Sequence, residues 1–297
     1  MKPVAILQHE AAQGPGVLGE FLQQQGIACE LIHPSQEGRA PVRARDYRGL
    51  VVLGSNHCAN EPLRWIEQER CLLQDALAHD VPVLGHCFGA QMLARAMGAR
   101  VWRNPCPHIG WSSVWVTRQA QDLMQLPRQI TQFNWHYDTF GLPPGATRSM
   151  YGALCLNKGF VHGRHWAFQG HLEVTEASVR AWCREGEDEL RHASGPAVQR
   201  AAQILAQLPQ QLARLHATAR RTYSAWTAQL DRPALFQLGA LPGAASGLLP
   251  ARHSAPDTPA KIPPDTPSNA PSNTELSLQY QALLAIQTRA ILARAVQ

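Results

Sequence analysis

A cysteine flanked by glycines is the residue whose surroundings most favour chemistry. Cys87 lies in the run Gly85-His-Cys-Phe-Gly89, after the apolar segment 81–84 and before a segment with helical spacing of apolar residues. A strand, a Gly-x-Cys-x-Gly turn and a helix in this order form a cysteine version of the nucleophile elbow. The turn exposes the sulfur at the sheet edge, and the positive end of the helix dipole favours the thiolate. The sequence predicts a nucleophile here; the alternative is a buried cysteine that fills a turn.

A histidine and a glutamate two residues apart form the second candidate group. His171 and Glu173 follow the predicted strand 165–170, and side chains two apart on a strand leave the same face. A carboxylate placed in this way can hold an imidazole in one tautomer while the imidazole serves as base to a nucleophile. The alternative is a solvated pair at a strand end, but an elbow cysteine elsewhere favours catalysis.

The remaining titratable residues predict no further centre. His86 neighbours the cysteine but should point away from it, and the other histidines are predicted to be structural or exposed. No group of His, Cys and carboxylates has the spacing of a metal site, and no motif indicates a cofactor. The seven cysteines include no C-x-x-C pair, which is typical of a protein kept in the reducing cytoplasm.

Strands and helices alternate through the first hundred residues, as they must to hold these groups at one sheet edge. This alternation predicts an α/β fold, a doubly wound and mainly parallel sheet flanked by helices, with ligands at the carboxyl ends of the strands. Beyond Gly98 the predicted strands are short, more antiparallel in style and separated by Pro and Gly. The predicted strands are 4–8, 28–32, 50–53, 81–84, 100–102, 113–116, 131–135, 153–156 and 165–170, and the predicted helices are 17–25, 63–79, 88–97 and 176–184.

Composition limits the partners that can be expected. The net charge of +5 comes from 24 Arg and 3 Lys against 22 acids, without a dense basic block, so we expect no nucleic-acid binding. No apolar run approaches the length of a membrane span, so we expect no membrane association.

The chain divides into four predicted parts. Residues 1–190 form the catalytic domain, and 191–239 form a helical extension in which Pro209 should bend or restart the helix. Residues 240–273 hold eight prolines and are predicted to be a disordered linker, and 274–297 an amphipathic C-terminal helix. The extension is thus helical and partly disordered.

Four sequence blocks in order give the chain a resemblance to a known family. They are Gly85-His-Cys-Phe-Gly-Ala-Gln91, Ile109-Gly-Trp111, the run from Trp135-His-Tyr-Asp138 to Gly145, and Phe168-Gln-Gly-His-Leu-Glu-Val-Thr175. Together they resemble the class I glutamine amidotransferases, above all stand-alone members similar to the amidotransferase domain of GMP synthase. The resemblance spans roughly residues 4–190. It implies that Cys87 is the nucleophile, His171 the base and Glu173 its orienting acid.

The same resemblance implies the remaining site residues. Gly54 and the backbone N–H of Phe88 would form the oxyanion hole, Gln91 would help hold the substrate, and Tyr137 lies where the family contacts it. Two departures concern this pocket: Ser55 stands where many relatives carry a second Gly, and Tyr137 stands where a small residue is usual. Both put the identity of the substrate in question.

The implied reaction is hydrolysis of the side-chain amide of glutamine through a γ-glutamyl thioester. Because no synthetase domain is recognised in the chain, we expect either a separate synthetase as the ammonia acceptor or no acceptor at all. The alternatives are a hydrolase of γ-glutamyl amines or peptides, and a catalytically idle regulatory relative. A cysteine α/β-hydrolase is a further alternative, although those enzymes usually place the acid well before the histidine.

Overall fold

Alternation of apolar side chains between the two faces of each inner strand produces a sheet covered on both sides. In this computed structural model, which describes residues 2–231, strand β1 is wholly buried. Its Val4 and Ile6 belong to one core and its Ala5 and Leu7 to the other. Side chains of period two that are apolar on both faces are typical of a central parallel strand.

The sheet has nine strands in the order β2-β1-β3-β4-β9-β8-β7-β5-β6. The five strands from β2 to β9 in that order are parallel, and the remaining pairings are antiparallel. The strands are β1 Val4–Leu7, β2 Cys29–Ile32, β3 Gly49–Val52, β4 Val83–His86, β5 Val101–Val116, β6 Gln129–Phe140, β7 Thr147–Tyr151, β8 Gly159–His162 and β9 His165–Phe168. This order confirms the predicted doubly wound α/β architecture.

Helices cover both faces of the sheet. The helices are α1 Gly16–Gln24, α2 Pro34–Glu37, α3 Arg64–Ala78, α4 Phe88–Ala96, α5 Arg118–Met124, α6 Glu176–Glu185, α7 Glu187–His192 and α8 Ala201–Thr227. The buried side chains of α1 and α8 belong to one core, and those of α3 and α4 to the other. Elements distant in the chain thereby enclose the carboxyl ends of β3, β4 and β9, where the predicted site residues lie.

The antiparallel half departs from the predicted elements. Segments 100–102 and 113–116 join into the single strand β5, whose pairing with β6 is interrupted between Arg103 and His108. Pro105 and Pro107 lie within that interruption, because a proline cannot donate a hydrogen bond to a strand ladder.

The predicted strand 153–156 is wrong. The structure has a turn there, in which Gly152 N donates to Cys155 O at 3.0 Å, and the strands β7 and β8 lie on either side of it. The Cys155 side chain is fully buried without strand pairing. The apolar run 153–156 therefore indicated burial at Cys155 but not a strand.

The C-terminal predictions fall partly within the described residues. Helix α8 continues through Pro209 without a restart. Its side chains Leu215, Tyr223 and Trp226 are fully buried against the sheet. The predicted linker 240–273 and terminal helix 274–297 lie outside the described residues.

Candidate active site

Cys87 lies at a strained turn between β4 and α4. Its backbone has φ 51° and ψ −106°, a conformation that costs a non-glycine residue on the order of 1–3 kcal/mol. Cys87 N donates to Phe168 O at 2.8 Å, which ties the turn to the end of β9. A Cβ atom on Gly89 would lie 2.1 Å from Val52 O, so only glycine lets α4 start this close to β3. The local sequence thus enforces the elbow predicted for this run.

His171 and Glu173 follow β9 and meet Cys87 from the neighbouring strand. His171 Nδ1–H donates to Glu173 Oε1 at 2.6 Å, and both side chains are buried. His171 N donates to Phe133 O at 2.8 Å, which fixes the backbone beneath the ring. The imidazole also interacts electrostatically with the Cys87 side chain. The structure therefore brings together all three residues proposed as a triad.

Opposite charges dominate the electrostatics of this group. Burial alone would lower the pKa of His171, but the attraction of Glu173 and Cys87 raises it to about 10. Burial would likewise raise the pKa of Glu173, yet the neighbouring imidazoles of His171 and His86 lower it to about 2. The histidine therefore carries a proton throughout the neutral range and can donate it to a leaving group.

Two residues behind Glu173 were not predicted as part of this group. His86 Nδ1 lies 3.4 Å from Glu173 Oε2, and burial lowers the pKa of this histidine. The ring of Tyr223 from α8 contacts the His86 ring edge-on, with centroids 6.0 Å apart. That His86 points away from the nucleophile remains a prediction, and its ring reaches the acid Glu173. Strand alternation could have indicated that it reaches the acid, whereas nothing in the sequence links Tyr223 to this site.

The predicted oxyanion hole lies directly against the histidine. A Cβ atom on Gly54 would be 2.8 Å from His171 Cε1, so the loop after β3 closely approaches the His171 ring. Phe88 begins α4, and the first N–H groups of a helix have no acceptor within it. Both features suit backbone donors facing an oxyanion, and the assignment of Gly54 and Phe88 remains a prediction.

A buried ion pair holds the Gly54 loop and was missed in the sequence. His9 Nδ1–H donates to Gly54 O at 3.0 Å, and His9 Nε2 lies 2.9 Å from Glu69 Oε2. Burial opposes a charge on His9, but Glu69 outweighs it and raises the pKa of the histidine. His9 follows β1 and Glu69 belongs to α3, so no sequence spacing links them.

The departure at Ser55 is accommodated by a side-chain tether. Ser55 Oγ donates to Glu10 Oε1 at 3.1 Å, and Asn56 N donates to the same oxygen at 3.0 Å. Gln13 Nε2 donates to Asn56 Oδ1 at 2.9 Å. The loop after β3 is therefore fixed from the β1–α1 connection, with Ser55 at the position where the resemblance led us to expect a second glycine.

A cavity of about 300 Å³ opens beside the cysteine. Gln91 and Tyr137 both line it, and Gln91 Nε2 donates to Asp138 O at 3.2 Å. Arg103 lies over the Tyr137 ring, 4.3 Å from the centroid. Partial burial and the carboxylate of Glu189 raise the pKa of Tyr137 to about 12, so the phenol stays protonated. The structure places both predicted substrate contacts at the nucleophile, and their roles remain predictions.

Residues 2–231 offer neither a metal centre nor a membrane span. In this range, no set of three or more His, Cys, Asp or Glu side chains is arranged to hold a metal ion. Within the same residues, none of the helices is both long and apolar enough to span a membrane.

Comparison with known proteins gives the family. The family described as "Glutamine amidotransferase class-I" matches residues 20–180. A glutamine amidotransferase structure from Methylobacillus flagellatus is 36% identical with a TM-score of 0.76, covering 78% of this chain and 96% of that one.

Two curated proteins are more distant relatives. A glutamine-hydrolysing GMP synthase component of Thermoplasma acidophilum is 33% identical over 129 residues, which cover 42% of this chain and 63% of that protein. Gamma-glutamyl peptidase 3 of Arabidopsis thaliana is 29% identical over 140 residues, covering 44% of this chain and 56% of that protein. The family match, together with the close structural likeness, shows that this chain belongs to the class I glutamine amidotransferases.

Proposed function

We propose that this protein hydrolyses the side-chain amide of glutamine, with Cys87 as nucleophile, His171 as acid and base, and Glu173 as the orienting carboxylate. The observation that carries the proposal is the geometry at the elbow. A strained cysteine interacts electrostatically with a histidine whose Nδ1 lies 2.6 Å from a buried carboxylate. Nucleophile, base and orienting group in this order are the arrangement that acyl transfer requires.

The first half of the reaction forms a thioester. With the proton on His171, the Cys87 sulfur attacks the amide carbon as a thiolate, and the C=O electron pair moves onto the oxygen. The tetrahedral intermediate collapses as the C–N bond breaks, and His171 gives its proton to the departing nitrogen, which leaves as ammonia. The products are a γ-glutamyl thioester and a neutral imidazole.

The second half returns the enzyme to its starting state. His171 takes a proton from water, whose oxygen attacks the thioester carbon, and the C–S bond then breaks. The product leaves as the γ-carboxylic acid, which loses its proton to solvent to give glutamate, and Cys87 and His171 are again thiolate and imidazolium. Each oxyanion would be met by backbone donors at Gly54 and Phe88, and one such donor is typically worth ~2.7–4 kcal/mol.

The fate of the ammonia depends on a partner. The Thermoplasma relative is named as one component of a glutamine-hydrolysing synthase. By analogy we propose that a separate synthetase receives the ammonia here.

A second candidate reaction is hydrolysis of a γ-glutamyl amine or peptide. A second cavity, of about 400 Å³, includes His171 among its lining residues. It shares Ser55, Asn56, Trp135 and Glu189 with the cavity beside the cysteine. A leaving group larger than ammonia would find room there, and a plant relative is named as a γ-glutamyl peptidase.

Glutamate release from glutamine and from a panel of γ-glutamyl amides tests both candidates. We expect glutamine to be turned over by the wild-type protein and the Cys87→Ser protein to be inactive while it keeps its melting temperature. A higher kcat/KM for a bulky γ-glutamyl amide would favour the second reaction. Full activity in Cys87→Ser would refute the covalent mechanism, and a wild-type protein inactive on every substrate would favour the idle relative.

A further inference from the structure

A fully buried lysine is connected to the cysteine through one residue, because Gln169 N donates to Lys158 O at 3.0 Å and Gln169 Nε2 donates to Cys87 Sγ at 3.8 Å. Lys158 precedes β8, and its side chain has no exposed surface. Its Nζ atom lies 2.7 Å from Asn134 Oδ1, 3.0 Å from His108 Nδ1 and 3.0 Å from His136 Nε2. Three neighbours at these distances match the three donors of an ammonium group.

The surroundings fix which of these contacts Lys158 must donate. Asn134 Nδ2 donates to the carbonyl oxygens of Gly110 and Gln132, so its Oδ1 is the acceptor that faces Lys158. His136 Nδ1–H donates to Asp138 O at 2.9 Å, which leaves Nε2 as the acceptor in the neutral ring. Lys158 therefore donates at least two hydrogen bonds into strand β6.

Both histidines are suited to remain neutral beside the lysine. Burial and the lysine charge lower the pKa of His108 to about 3 and hold that of His136 well below its usual range. Within residues 2–231, no carboxylate lies within ion-pair distance of Lys158. An ammonium here is thus surrounded by hydrogen-bond acceptors but has no carboxylate beside it among the described residues.

The groups that interact electrostatically with Lys158 include the nucleophile. Burial lowers the pKa of Lys158, and the thiols of Cys155, Cys87 and Cys106 oppose that effect. Of these, only Cys87 has an imidazole partner to take its proton, namely His171, which Glu173 orients. A negative charge near the lysine is therefore expected at the nucleophile.

We propose that Lys158 is a positioning residue for the proposed reaction, whose buried ammonium is the counter-charge of the Cys87 thiolate. With the imidazolium of His171 and the carboxylate of Glu173, the four buried charges sum to zero when Cys87 is ionised. The same lysine binds Asn134 and His136 and so fixes the residue between them, Trp135, whose backbone O lies 3.9 Å from Cys87 Sγ. Replacing it by an uncharged residue leaves a net negative interior.

Alkylation of Cys87 by iodoacetamide reports the thiolate without any need for turnover. Its rate is followed from pH 4 to 9 by site-resolved mass spectrometry in wild type, Lys158→Met and His108→Gln. His108→Gln is the matched control, because it alters one of the three hydrogen-bond partners of Lys158 but keeps the lysine charge. In Lys158→Met we expect the acid limb of the profile to move to higher pH, with a roughly 10-fold lower rate on that limb and a plateau within about twofold of wild type. His108→Gln should keep the wild-type limb.

Two outcomes would overturn the proposal. A rate that falls equally at every pH in Lys158→Met would mean that the residue is only structural. If the acid limb moves equally in His108→Gln, the effect comes from the hydrogen-bond partners of Lys158 and not from its charge.

A second measurement keeps the test independent of whether Lys158→Met folds. The chain has three lysines, Lys2, Lys158 and Lys261, so selective ¹³Cε labelling gives few signals to resolve. Because coupling between two sites is reciprocal, loss of the thiolate in Cys87→Ser should lower the titration midpoint of Lys158 by about half a pH unit or more. An unchanged midpoint would refute the counter-charge. Neither measurement uses glutamine, so a negative result here is distinct from failure of the proposed reaction.

Discussion

Glu173→Gln offers the sharpest test of the charge arrangement at the site. Glutamine keeps the size of the side chain and can still accept one hydrogen bond from His171 through its amide oxygen. It removes the negative charge, which is the strongest of the influences that raise the pKa of His171. The imidazolium should therefore lose its proton at lower pH in the variant.

The magnitude follows from the type of bond that is weakened. A buried hydrogen bond to a charged group contributes about 1.5–3 kcal/mol, so kcat/KM for glutamine should fall roughly 10- to 150-fold at pH 7. Stability should change as well, because the fall in the pKa of Glu173 from 4.5 to about 2 corresponds to about 3 kcal/mol.

The sign of the pH dependence differs between the two partners. The lowered pKa of Glu173 stabilises the fold above pH 4.5, and this contribution is lost as the pH falls towards about 2. The raised pKa of His171 stabilises the fold below pH 6.5, and this contribution is lost as the pH rises towards about 10. The pair should therefore stabilise the wild type most between pH 4.5 and 6.5.

Two assays check this reasoning. The alkaline limb of kcat/KM for glutamine, near pH 10 in wild type, should move to lower pH in Glu173→Gln. Urea unfolding at pH 3, 5.5 and 9 should show the largest loss of stability at pH 5.5. An alkaline limb at the same pH in both proteins would refute the assignment of the His171 proton to the Glu173 charge.

Three further perturbations test the surroundings of the triad. Gly54→Ala would place a Cβ atom 2.8 Å from His171 Cε1, so we expect at least a 10-fold fall in kcat with little change in the melting temperature. Glu69→Gln removes the charge that raises the pKa of His9, so the free energy of unfolding at pH 6 should be ~1–3 kcal/mol lower than in wild type. This difference should shrink as the pH rises, because the wild type then loses its His9–Glu69 ion pair. Tyr137→Gly should increase kcat/KM for bulky γ-glutamyl amides if the phenol fills space, or raise KM for every substrate if the phenol binds the glutamyl group. Unchanged constants for glutamine and for a bulky γ-glutamyl amide would mean that Tyr137 makes no contact with the substrate.

Local patterns were enough to predict most of the parallel half of the fold. Predicted strands 4–8 and 28–32 and helix 63–79 agree with β1, β2 and α3 to within about one residue at each end. The strand before the elbow was placed too early, because Val81 and Pro82 are apolar but precede β4. Buried strands and amphipathic helices have periods that a sequence displays directly.

In the candidate site, too, local patterns reveal some residues but not the contacts that support them. Cys87 is marked by its own neighbours, and His171 and Glu173 by their separation of two residues along the chain. The contacts that support them join residues far apart in sequence: His9 and Glu69 are 60 positions apart, and Lys158 lies 50 positions from His108. Such pairs depend on the order of strands in the sheet, which one sequence does not reveal.

The strain at Cys87 explains why the elbow depends on distant parts of the fold. A positive φ at a residue with a Cβ atom persists only if the surrounding structure leaves no relaxed alternative. The bond from Cys87 N to Phe168 O holds one side of the turn to β9, while Gly89 lies so close to Val52 O of β3 that a Cβ atom would not fit there. Strand β9 also leads directly into His171. The hydrogen bond that maintains the strain therefore also links Cys87 to the segment that carries His171, so a change that relaxes the turn should also displace Cys87 relative to His171.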